Sequence, residues 1–332
     1  MAKSAVVGVV GATGAVGSEL VKVLHDRKFP LAELRLFASE RSADRTLETQ
    51  FGAKSVRKFE LEAARHCDIV FLCVSGDFAR EYARSLAERS LVIDHSSALR
   101  LLPDVPLVIP EINAEAARGH RLIANPNCTM AVAATALWPL HRAFGLKKVI
   151  VSSYQAASGA GAEGMSELIA GAGDYLAGRP VPHKAFAHPL AFNVVPQIDR
   201  FHENGYTFEE MKVCWEMRKV FGVPDLPVSC TAVRVPTLRA HAEAITIETA
   251  EEVTPEAARA VLAKAPGLRL LDDPAQQAYP MPITASERYD VDVGRIRTNL
   301  IFGAHGLDLF VCGDQLLKGA ALNAVQIAER VA

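Results

Sequence analysis

The stretch "AVVGVVGATGAVGSELVKVL" (residues 5–24) joins an apolar run to an amphipathic segment through three glycines. Its first part predicts a buried strand, and its last part predicts a helix with the apolar residues on one side. Gly11, Gly14 and Gly17 permit a tight turn and a close backbone approach to a pyrophosphate, which would meet the free N–H groups of the helix start. The spacing is GxxGxxG rather than the commoner GxGxxG, so a turn that serves only helix–strand packing is the alternative. The context after a first strand favours a dinucleotide-binding domain.

The pattern of apolar residues changes once along the rest of the chain. Short apolar runs alternate with helical periodicity up to about residue 128, which predicts a parallel sheet wound by crossover helices. Beyond it, longer strand-like runs predict a mixed or antiparallel α+β domain. The closing segment 314–332 has helical spacing and is expected to pack back on the first domain. The predicted domains are 1–128 completed by 313–332, and 129–312. The predicted strand segments lie at 33–39, 67–75, 90–97, 106–113, 120–127, 147–158, 229–236 and 242–250.

The composition excludes several classes of protein. Half of the 332 residues are hydrophobic and 22% are charged, which is typical of a globular protein of two-domain length. The formal net charge is −2, with scattered basic residues, so neither a nucleic acid nor a membrane is expected as partner. The six cysteines form no CxxC pair, and His183 and His188 lack the spacing and third ligand of a zinc site. We expect no signal peptide, no membrane span, no metal, and a reducing cytoplasm as the setting.

The end of the predicted second strand, "FASERSADR" (37–45), bears on the nucleotide. An acidic residue at this place accepts the ribose hydroxyls of NAD, whereas arginine favours the additional phosphate of NADP. The stretch holds both Glu40 and Arg41, and the hydroxyls of Ser39 and Ser42 can donate to a phosphate. Because Arg41 and two hydroxyls suit a phosphate, we expect NADP as the cofactor.

One cysteine, in "ANPNCTMAVAATALWPL" (124–140), lies between turn residues and a long apolar run. Cys128 follows a turn at 125–127, and the alanines and leucines after it favour a helix. A helix start supplies free N–H groups and a positive dipole, which lower the pKa of a thiol and can bind an oxyanion. A buried, inert thiol is the alternative, and it suits the other five cysteines. The polar neighbours of Cys128 favour a nucleophile.

A nucleophilic cysteine combined with a nicotinamide site points to one chemistry. The thiolate attacks an aldehyde to give a thiohemiacetal, a hydride leaves to the cofactor, and a thioester remains that passes its acyl group to a separate acceptor. Such a scheme needs a base, a group that holds the substrate, and a site for the acceptor.

Eight motifs in order cover nearly the whole chain: "GATGAVG", "IDHSSALR", "PEIN", "NPNC", "SSYQAASGAG", "FEEMK", "VRVP" followed by "AHAEAI", and "KGAALNAVQIAE". In this order they resemble the aspartate-β-semialdehyde dehydrogenase family. The resemblance implies a Rossmann-type parallel sheet domain, an α+β catalytic and dimerisation domain with a mixed sheet, and a C-terminal helix that returns to the first domain. It also implies NADP-dependent reductive dephosphorylation of L-aspartyl-4-phosphate to L-aspartate 4-semialdehyde through a cysteine acyl-thioester, in the pathway to lysine, threonine and methionine.

The resemblance assigns catalytic and substrate-binding roles to particular residues. Cys128 would be the nucleophile, His241 the general acid and base, and Gln155 the residue that orients the substrate or thioester. Arg234 would bind the substrate α-carboxylate as a bidentate pair, and Glu209 would bind its ammonium group. These roles agree with the chemistry that the residue types support.

The phosphate and cofactor residues follow from the same resemblance. Arg100, Lys212 and Asn127 would bind inorganic phosphate, for which basic side chains are suited. The cofactor would be contacted by the glycine turn, by the end of the second strand and by isolated positions further along. These residues are Gly11, Thr13, Gly14, Ala15, Val16, Ser39, Arg41, Ser42, Ser75, Gly159 and Gln315.

Ordinary structural roles are the alternatives for several of these residues. His241 precedes an alternating strand and could be an exposed edge residue. Glu209 and Lys212 could be a solvated helix pair at i, i+3 spacing, and Arg100 could lie on the surface. Arg234 is harder to dismiss, because a lone charge in an apolar run needs a partner.

Three residues depart from the family pattern. His95 stands where asparagine is common, Met130 where serine or threonine is frequent, and Gln315 where asparagine is commoner. None of the three removes a proposed catalytic group, so they bear on cofactor preference and rate.

Three other functions stay open on the sequence. One is a reductase of the same group acting on N-acetylglutamyl phosphate or an acyl-CoA, although Glu209 and Arg234 suit a substrate with free ammonium and carboxylate groups. Another is a catalytically silent nucleotide-binding homologue. The presence of the cysteine, the histidine and the arginine argues against it. A thiol hydrolase is disfavoured by the glycine turn. We expect a homodimer, with 158–178 and 188–197 as candidate subunit contacts.

Overall fold

The computed structural model describes residues 4–331, which form two compact units. One unit comprises the chain up to Pro126 and from Ala320 onward, and the other comprises Asn127–Gly319. Each unit has one β-sheet with helices packed on it, which is how a sheet buries its apolar face. No helix in this part of the chain is long and apolar enough to cross a membrane.

The first unit is built on a seven-stranded sheet. Its elements before Pro126 are β1 (Ala5–Val10), α1 (Ala15–Asp26), β2 (Leu31–Ala38), β3 (Arg45–Thr49), β4 (Gly52–Lys58), α2 (Leu61–Arg65), β5 (Ile69–Leu72), α3 (Gly76–Ala87), β6 (Leu91–Asp94), α4 (Pro110–Asn113) and β7 (Leu122–Ala124). The strand order is β3-β4-β2-β1-β5-β6-β7, and every neighbouring pair is parallel except β3 with β4. β1 and β5 are almost entirely buried, as continuous apolar runs in a parallel sheet are. The predicted Rossmann-type sheet is confirmed.

Two segments of this unit differ from the sequence prediction. The hairpin of β3 and β4 was not predicted, because its strands are polar and, of their side chains, only that of Val56 is buried. An edge hairpin of this kind lacks the apolar run that signals an interior strand. The run 106–113 is not a strand either: Leu107 makes one bridge to Ala124, and the helix α4 then begins.

The second unit is built on a six-stranded mixed sheet. Its elements are α5 (Cys128–Phe144), β8 (Leu146–Gln155), α6 (Gly161–Leu176), α7 (Phe208–Phe221), β9 (Val228–Arg234), β10 (His241–Thr249), α8 (Pro255–Leu262), β11 (Leu268–Leu270), α9 (Pro282–Ala285), β12 (Val291–Thr298) and β13 (Gly306–Gly313). The order is β11-β12-β13-β10-β8-β9, with β10 antiparallel to both neighbours and β8 parallel to β9. The predicted mixed sheet is confirmed.

The helix α5 is the buried centre of the second unit. Nearly all of its side chains before Leu140 are buried, as expected of a helix that is apolar on every side. It begins at Cys128 because the side-chain oxygen of Asn127 accepts the N–H of Met130 at 3.0 Å, which caps the helix. It packs against β8, β10, β12 and β13. The cysteine is therefore held at one end of a rigid element.

One end of the second sheet collects candidate residues from several strands. β8 ends at Gln155 and β9 ends beside it at Arg234, since these two residues are paired in register. β10 runs in the opposite direction and begins at His241, opposite the last residue of β13. Residues separated by many positions in the sequence therefore meet through the alternation of strand direction.

The C-terminal segment leaves the second sheet through a π-helical turn, Leu317–Ala321, and continues as α10 (Leu322–Val331) in the first unit. Within that unit the Asn323 amide donates to the side-chain oxygen of Asn125 at 2.8 Å, and Arg27 pairs with Glu329 at 2.6 Å. The predicted return of the C-terminal helix to the first domain is confirmed.

Candidate active site

Cys128 and His241 form the central pair of the second unit. Cys128 Sγ lies 3.4 Å from His241 Nε2, at the first residue of α5 where the helix N–H groups are unpaired within the helix. The imidazole is fully buried, and its Nδ1 accepts the backbone N–H of Ala156 at 3.1 Å. Burial, and secondarily the charge of Arg234, hold the pKa of His241 well below its usual value. The alternative of an exposed edge histidine is wrong, and a neutral imidazole faces the sulfur.

The backbone before His241 is in an unusual conformation. Ala240 has φ +65°, which non-glycine residues rarely adopt, and its N–H donates to the side-chain oxygen of Gln315 at 2.8 Å. The nitrogen of the same Gln315 amide donates to the Ser158 hydroxyl. Gln315 is therefore buried and joins the segment before His241 to the segment after Ala156.

Arg234 is the main positive charge of the site. It is 6% exposed, and its Nη1 donates to the carbonyl oxygen of Ala156 at 2.6 Å. A Cβ on Gly159 would lie 2.6 Å from the same nitrogen, so only glycine fits there without displacing the guanidinium. Burial lowers the pKa of Arg234, while Cys128 and Glu209 oppose that shift. The guanidinium borders a cavity of about 190 Å³ that is lined by Ala185, Phe186, Ala187, Val195, Gln197, Ile198, Asp199 and Arg234.

Glu209 contacts three residues that the sequence analysis named. Its Oε1 accepts the amide of Asn127 at 2.8 Å and that of Gln155 at 3.4 Å, and its Oε2 lies 3.6 Å from Lys212 Nζ. A capping box of Thr207 and the residue after Glu209 fixes the start of α7 and so the direction of this carboxylate. With 7% exposure, Glu209 is not part of a solvated surface pair.

Asp199 is a residue of this site that the sequence analysis missed. Its Oδ2 accepts from Lys212 Nζ at 2.6 Å, and it lines the same cavity as Arg234. Its φ of +70° marks a constrained backbone. The sequence carried no signal for it, because it lies in an irregular segment and meets Lys212 only through the fold.

Glu243 is a second residue that the sequence did not single out. It is fully buried on β10, paired in register with Ser153 of β8, and two residues from His241 on the same strand. Neither carboxyl oxygen has a hydrogen-bond partner among residues 4–331. Burial holds the pKa of Glu243 well above its usual value, which favours the neutral carboxylic acid.

The glycine turn of the first unit has the geometry of an anion-binding loop. Gly11 has φ +85°, and a Cβ there would lie 2.1 Å from the carbonyl oxygen of Cys73. A Cβ on Gly17 would lie 2.3 Å from the carbonyl oxygen of Gly11. α1 then begins at Ala15 after Gly14, with no side-chain cap and no acidic residue in its first turn. The first N–H groups of α1, which include those of Ala15 and Val16, are therefore available to a phosphate, and Thr13 lies just before them.

The end of β2 presents Ser39 and Arg41 to solvent, with Ser42 partly buried. The Glu40 carboxylate between them is paired with Lys58 of β4 at 2.9 Å. Lys58 belongs to the hairpin that the sequence prediction missed. Glu40 is thus ion-paired, and Arg41 stands between the two serines in the sequence.

The ends of β5 and β6 supply three further residues of the first unit. Ser75 caps α3 by accepting the N–H of Phe78 at 3.4 Å. Arg100 is buried rather than a surface residue, and its Nη2 donates to the carbonyl oxygen of His95 at 2.8 Å. Burial, and secondarily Arg100, lower the pKa of His95 to about 3, so this imidazole is neutral. The asparagine-to-histidine departure therefore introduces no charge.

The named residues thus fall into two groups. The second unit brings together Cys128, His241, Gln155, Arg234, Glu209, Asn127 and Lys212, with Gly159 beside the arginine and Gln315 behind the histidine. The first unit holds the glycine turn, the end of β2, Ser75 and Arg100. Among the described residues no group of histidine, cysteine and carboxylate side chains could hold a metal ion.

Comparison with known proteins identifies the family. Residues 6–120 match the semialdehyde dehydrogenase NAD binding domain, and residues 137–318 match the semialdehyde dehydrogenase dimerisation domain. Aspartate-semialdehyde dehydrogenase of Synechocystis sp. is 46% identical over 97% of this chain and 96% of its own length. That of Aquifex aeolicus is 44% identical over the same shares.

A solved structure agrees with this result. Aspartate semialdehyde dehydrogenase II from Vibrio cholerae, complexed with ASA, superposes with a TM-score of 0.94 at 38% identity. The match covers 99% of this chain and 98% of that one. The fold is thus shared over nearly the full length of both chains. The chain therefore belongs to the aspartate-semialdehyde dehydrogenase family of oxidoreductases.

Proposed function

We propose that the chain catalyses the NADP-dependent reduction of L-aspartyl-4-phosphate to L-aspartate 4-semialdehyde with release of phosphate. The reaction would serve the synthesis of lysine, threonine and methionine. The observation that carries the proposal is the contact of Cys128 Sγ with His241 Nε2 at the start of α5, beside the buried Arg234. This arrangement supplies a nucleophile, a proton-handling partner and a carboxylate-binding group within one unit.

The first chemical step would be attack of the Cys128 sulfur on the acyl carbon of the substrate. The N–H groups at the start of α5 would stabilise the oxyanion, and phosphate would leave as the thioester forms. Gln155 would orient the thioester, and His241 would handle the proton. Bound NADPH would supply the hydride that reduces the thioester. The carbon–sulfur bond would then break, which releases the aldehyde and restores the sulfur.

Substrate selection would rest on two buried charges. Arg234 would hold the α-carboxylate by its guanidinium fork, and Glu209 would hold the α-ammonium group. An N-acetylated substrate could not offer Glu209 a positive charge, which argues against the N-acetylglutamyl alternative. Lys212 and Asn127, already hydrogen-bonded or ion-paired around Glu209, are our candidates for phosphate contact. Arg100 of the first unit is the third candidate.

The residues of the first unit fit a dinucleotide. The N–H groups of α1, with Gly11, Thr13, Gly14, Ala15 and Val16, would hold the pyrophosphate. Ser39, Arg41 and Ser42 would hold the 2′-phosphate of NADP, and the pairing of Glu40 with Lys58 supports NADP over NAD. The other candidates for contact with the cofactor are Ser75, Gly159 and Gln315.

The domain roles and assembly belong to the same proposal. The nucleotide-binding domain would be 1–128 with 313–332, and the catalytic and dimerisation domain 129–312, in a cytoplasmic homodimer. The family match of 137–318 to a dimerisation domain supports the dimer. So do the exposed apolar side chains on the predicted contact segments, since such patches mark protein interfaces. Tyr175 is 56% exposed, Leu176 76% and Phe192 59%.

One assay tests both the substrate and the nucleophile. The protein is mixed with aspartate semialdehyde, NADP and phosphate, and nicotinamide reduction is followed by absorbance. We expect phosphate-dependent turnover that is lost in Cys128→Ser, while NADP still binds to that variant. N-acetylglutamate semialdehyde serves as the competing substrate. Turnover of that compound in preference, or none with a folded protein that binds NADP, would overturn the assignment.

A further inference from the structure

The direction of one hydrogen bond fixes where the proton of His241 lies. The backbone N–H of Ala156 can only donate, and it points at His241 Nδ1 at 3.1 Å. Nδ1 must therefore offer a lone pair. In a neutral imidazole the single proton is then on Nε2, the nitrogen that lies 3.4 Å from Cys128 Sγ.

The amide that imposes this tautomer is itself held in place. The carbonyl oxygen of the same peptide group, on Gln155, accepts the N–H of Val235 at 3.0 Å. The next N–H group, of Ala157, donates to the carbonyl oxygen of Thr237 at 2.8 Å. A peptide group bonded at both ends cannot rotate its N–H away from the ring, and such chains of hydrogen bonds polarise one another.

Protonation of Nδ1 would be opposed by the surroundings. It would place two donors face to face inside a fully buried site, next to the Arg234 guanidinium. Titratable groups close to this region include Cys128 from α5, Glu209 from α7 and Glu243 from β10 itself. The segment before His241 also carries the ion pair of Arg239 with the buried Asp314. Glu209 is directed at Gln155 and Lys212, and burial raises the pKa of Glu243, which disfavours a negative charge there. Neither carboxyl group has a hydrogen bond to the ring.

We propose that Ala156 is a positioning residue whose backbone N–H keeps His241 in the neutral Nε2–H tautomer, so that the imidazole donates a hydrogen bond to a Cys128 thiolate and does not store the thiol proton. The inference rests on the proposed function and narrows the role of His241 from acid and base to donor. The thiolate is then stabilised by the Nε2–H group, by the start of α5 and by Arg234.

The reaction balances without a proton on the histidine. In the first step the thiolate forms the carbon–sulfur bond, and the bond from carbon to the phosphate oxygen breaks, so that phosphate leaves with its electron pair. In the second step the thioester carbon would accept a hydride, which bound NADPH would supply, and the carbon–sulfur bond would break with its electron pair on sulfur. The thiolate is regenerated, and no net proton enters or leaves the imidazole.

The tautomer can be measured directly in the intact protein. Nitrogen-15 chemical shifts of the histidine rings distinguish the Nε2–H tautomer, the Nδ1–H tautomer and the imidazolium, and His241→Gln identifies the signal of interest. We expect the Nε2–H tautomer from pH 6 to pH 9. An imidazolium or an Nδ1–H tautomer at His241 would overturn the proposal. This measurement needs no turnover, so it separates failure of the inference from failure of the proposed function.

Replacing single amides by esters tests the role of Ala156. The α-hydroxy acid analogue of alanine at position 156 removes the N–H that faces His241, and the same change at position 157 removes the neighbouring bond to Thr237 as a matched control. The first ester should move His241 toward the Nδ1–H tautomer, and the Cys128 thiolate would then lose the hydrogen bond from Nε2–H. Alkylation of Cys128 at pH 7 should slow by about tenfold, as expected for the loss of one hydrogen bond to a charged group. The second should change neither. Equal effects of the two esters would mean a merely structural role for the segment and would overturn the proposal.

Discussion

In the second unit the candidate catalytic side chains are hydrogen-bonded to protein groups and buried, or half-buried in the case of Cys128. In the first unit most of the candidate nucleotide-binding residues are exposed. His241, Gln155 and Arg234 are each less than 7% exposed. Thr13 and Arg41 face solvent, and the glycine turn offers backbone N–H groups rather than side chains. The reacting groups have to be held to within a fraction of an ångström, while a pyrophosphate needs a shaped backbone and a helix start.

This difference predicts how each site responds to substitution. A change of one side chain in the second unit removes a member of a bonded cluster and should reduce the rate strongly. A change of one side chain in the first unit should alter affinity or cofactor preference, and only a change that moves the backbone should be severe.

The largest effect is expected at Arg234. Arg234→Lys keeps the charge but loses the guanidinium fork and the bond to the Ala156 carbonyl, so kcat/KM should fall by about 10²- to 10³-fold. Steady-state kinetics with aspartate semialdehyde measure the change, and NADP binding should be unaffected. Arg118→Lys, an exposed pair with Glu115, is the control. A value of kcat/KM for Arg234→Lys within twofold of the parent would show that Arg234 does not bind the substrate.

The backbone of the glycine turn gives the next largest effect. Gly11→Ala should reduce the free energy of unfolding by about 3 kcal/mol, because the Cβ meets a carbonyl oxygen at 2.1 Å and φ is +85°. Gly52→Ala is the matched control, with φ +81° and open space around it, and should cost about 1 kcal/mol. Urea unfolding and NADP titration of both variants measure the difference. Equal losses would show that the close contact at Gly11 is unimportant.

A smaller effect is expected at the end of β2. Arg41→Ala should weaken NADP binding by about tenfold and leave NAD binding unchanged, since the arginine would contact only the 2′-phosphate. Fluorescence titration with both nucleotides measures the ratio. Arg57→Ala, another exposed arginine of the same edge, should alter neither affinity. If Arg41→Ala weakened the binding of NADP and of NAD equally, the expected selectivity for NADP would come from other residues.

Local sequence was sufficient for the first site and insufficient for the second. The order strand, glycine turn, helix lies within residues 5–26 and sets its own geometry. The contact of Cys128 with His241 spans 113 positions and depends on the direction of β10 between its neighbours. Residue type and spacing could nominate Cys128 alone, whereas His241, Glu209 and Lys212 were nominated mainly by the family resemblance.

What neither pattern nor resemblance supplied is the set of residues that support the site. Asp199 contacts Lys212 from an irregular segment, and Lys58 contacts Glu40 from a hairpin with no apolar signal. The Ala156 bond to His241 involves only backbone on one side, so residue identity at position 156 carries no information about it. Such contacts follow from tertiary geometry, which sequence periodicity does not encode.

The last prediction concerns Glu243, the buried acid on the strand of His241. Its folded-state pKa lies above its unfolded value of about 4.3, so the folded protein binds the extra proton, and its contribution to stability is present below the unfolded pKa and declines as pH rises. Between pH 5 and pH 8 the decline should approach about 1.4 kcal/mol per pH unit while the folded state stays protonated.

Glu243→Gln keeps the shape and cannot ionise, so its stability should fall less than that of the parent between pH 5 and pH 8. Urea unfolding at the two pH values measures the difference, with the exposed Glu252→Gln as control. A parallel pH dependence of parent and Glu243→Gln would mean that the carboxyl group is ionised in the folded protein. A charge would then lie on β10 beside the cysteine–histidine pair. That charge would be buried without a hydrogen-bond partner for either oxygen in the part of the chain that the structure describes, so the catalytic cluster would be less well satisfied than its other contacts indicate.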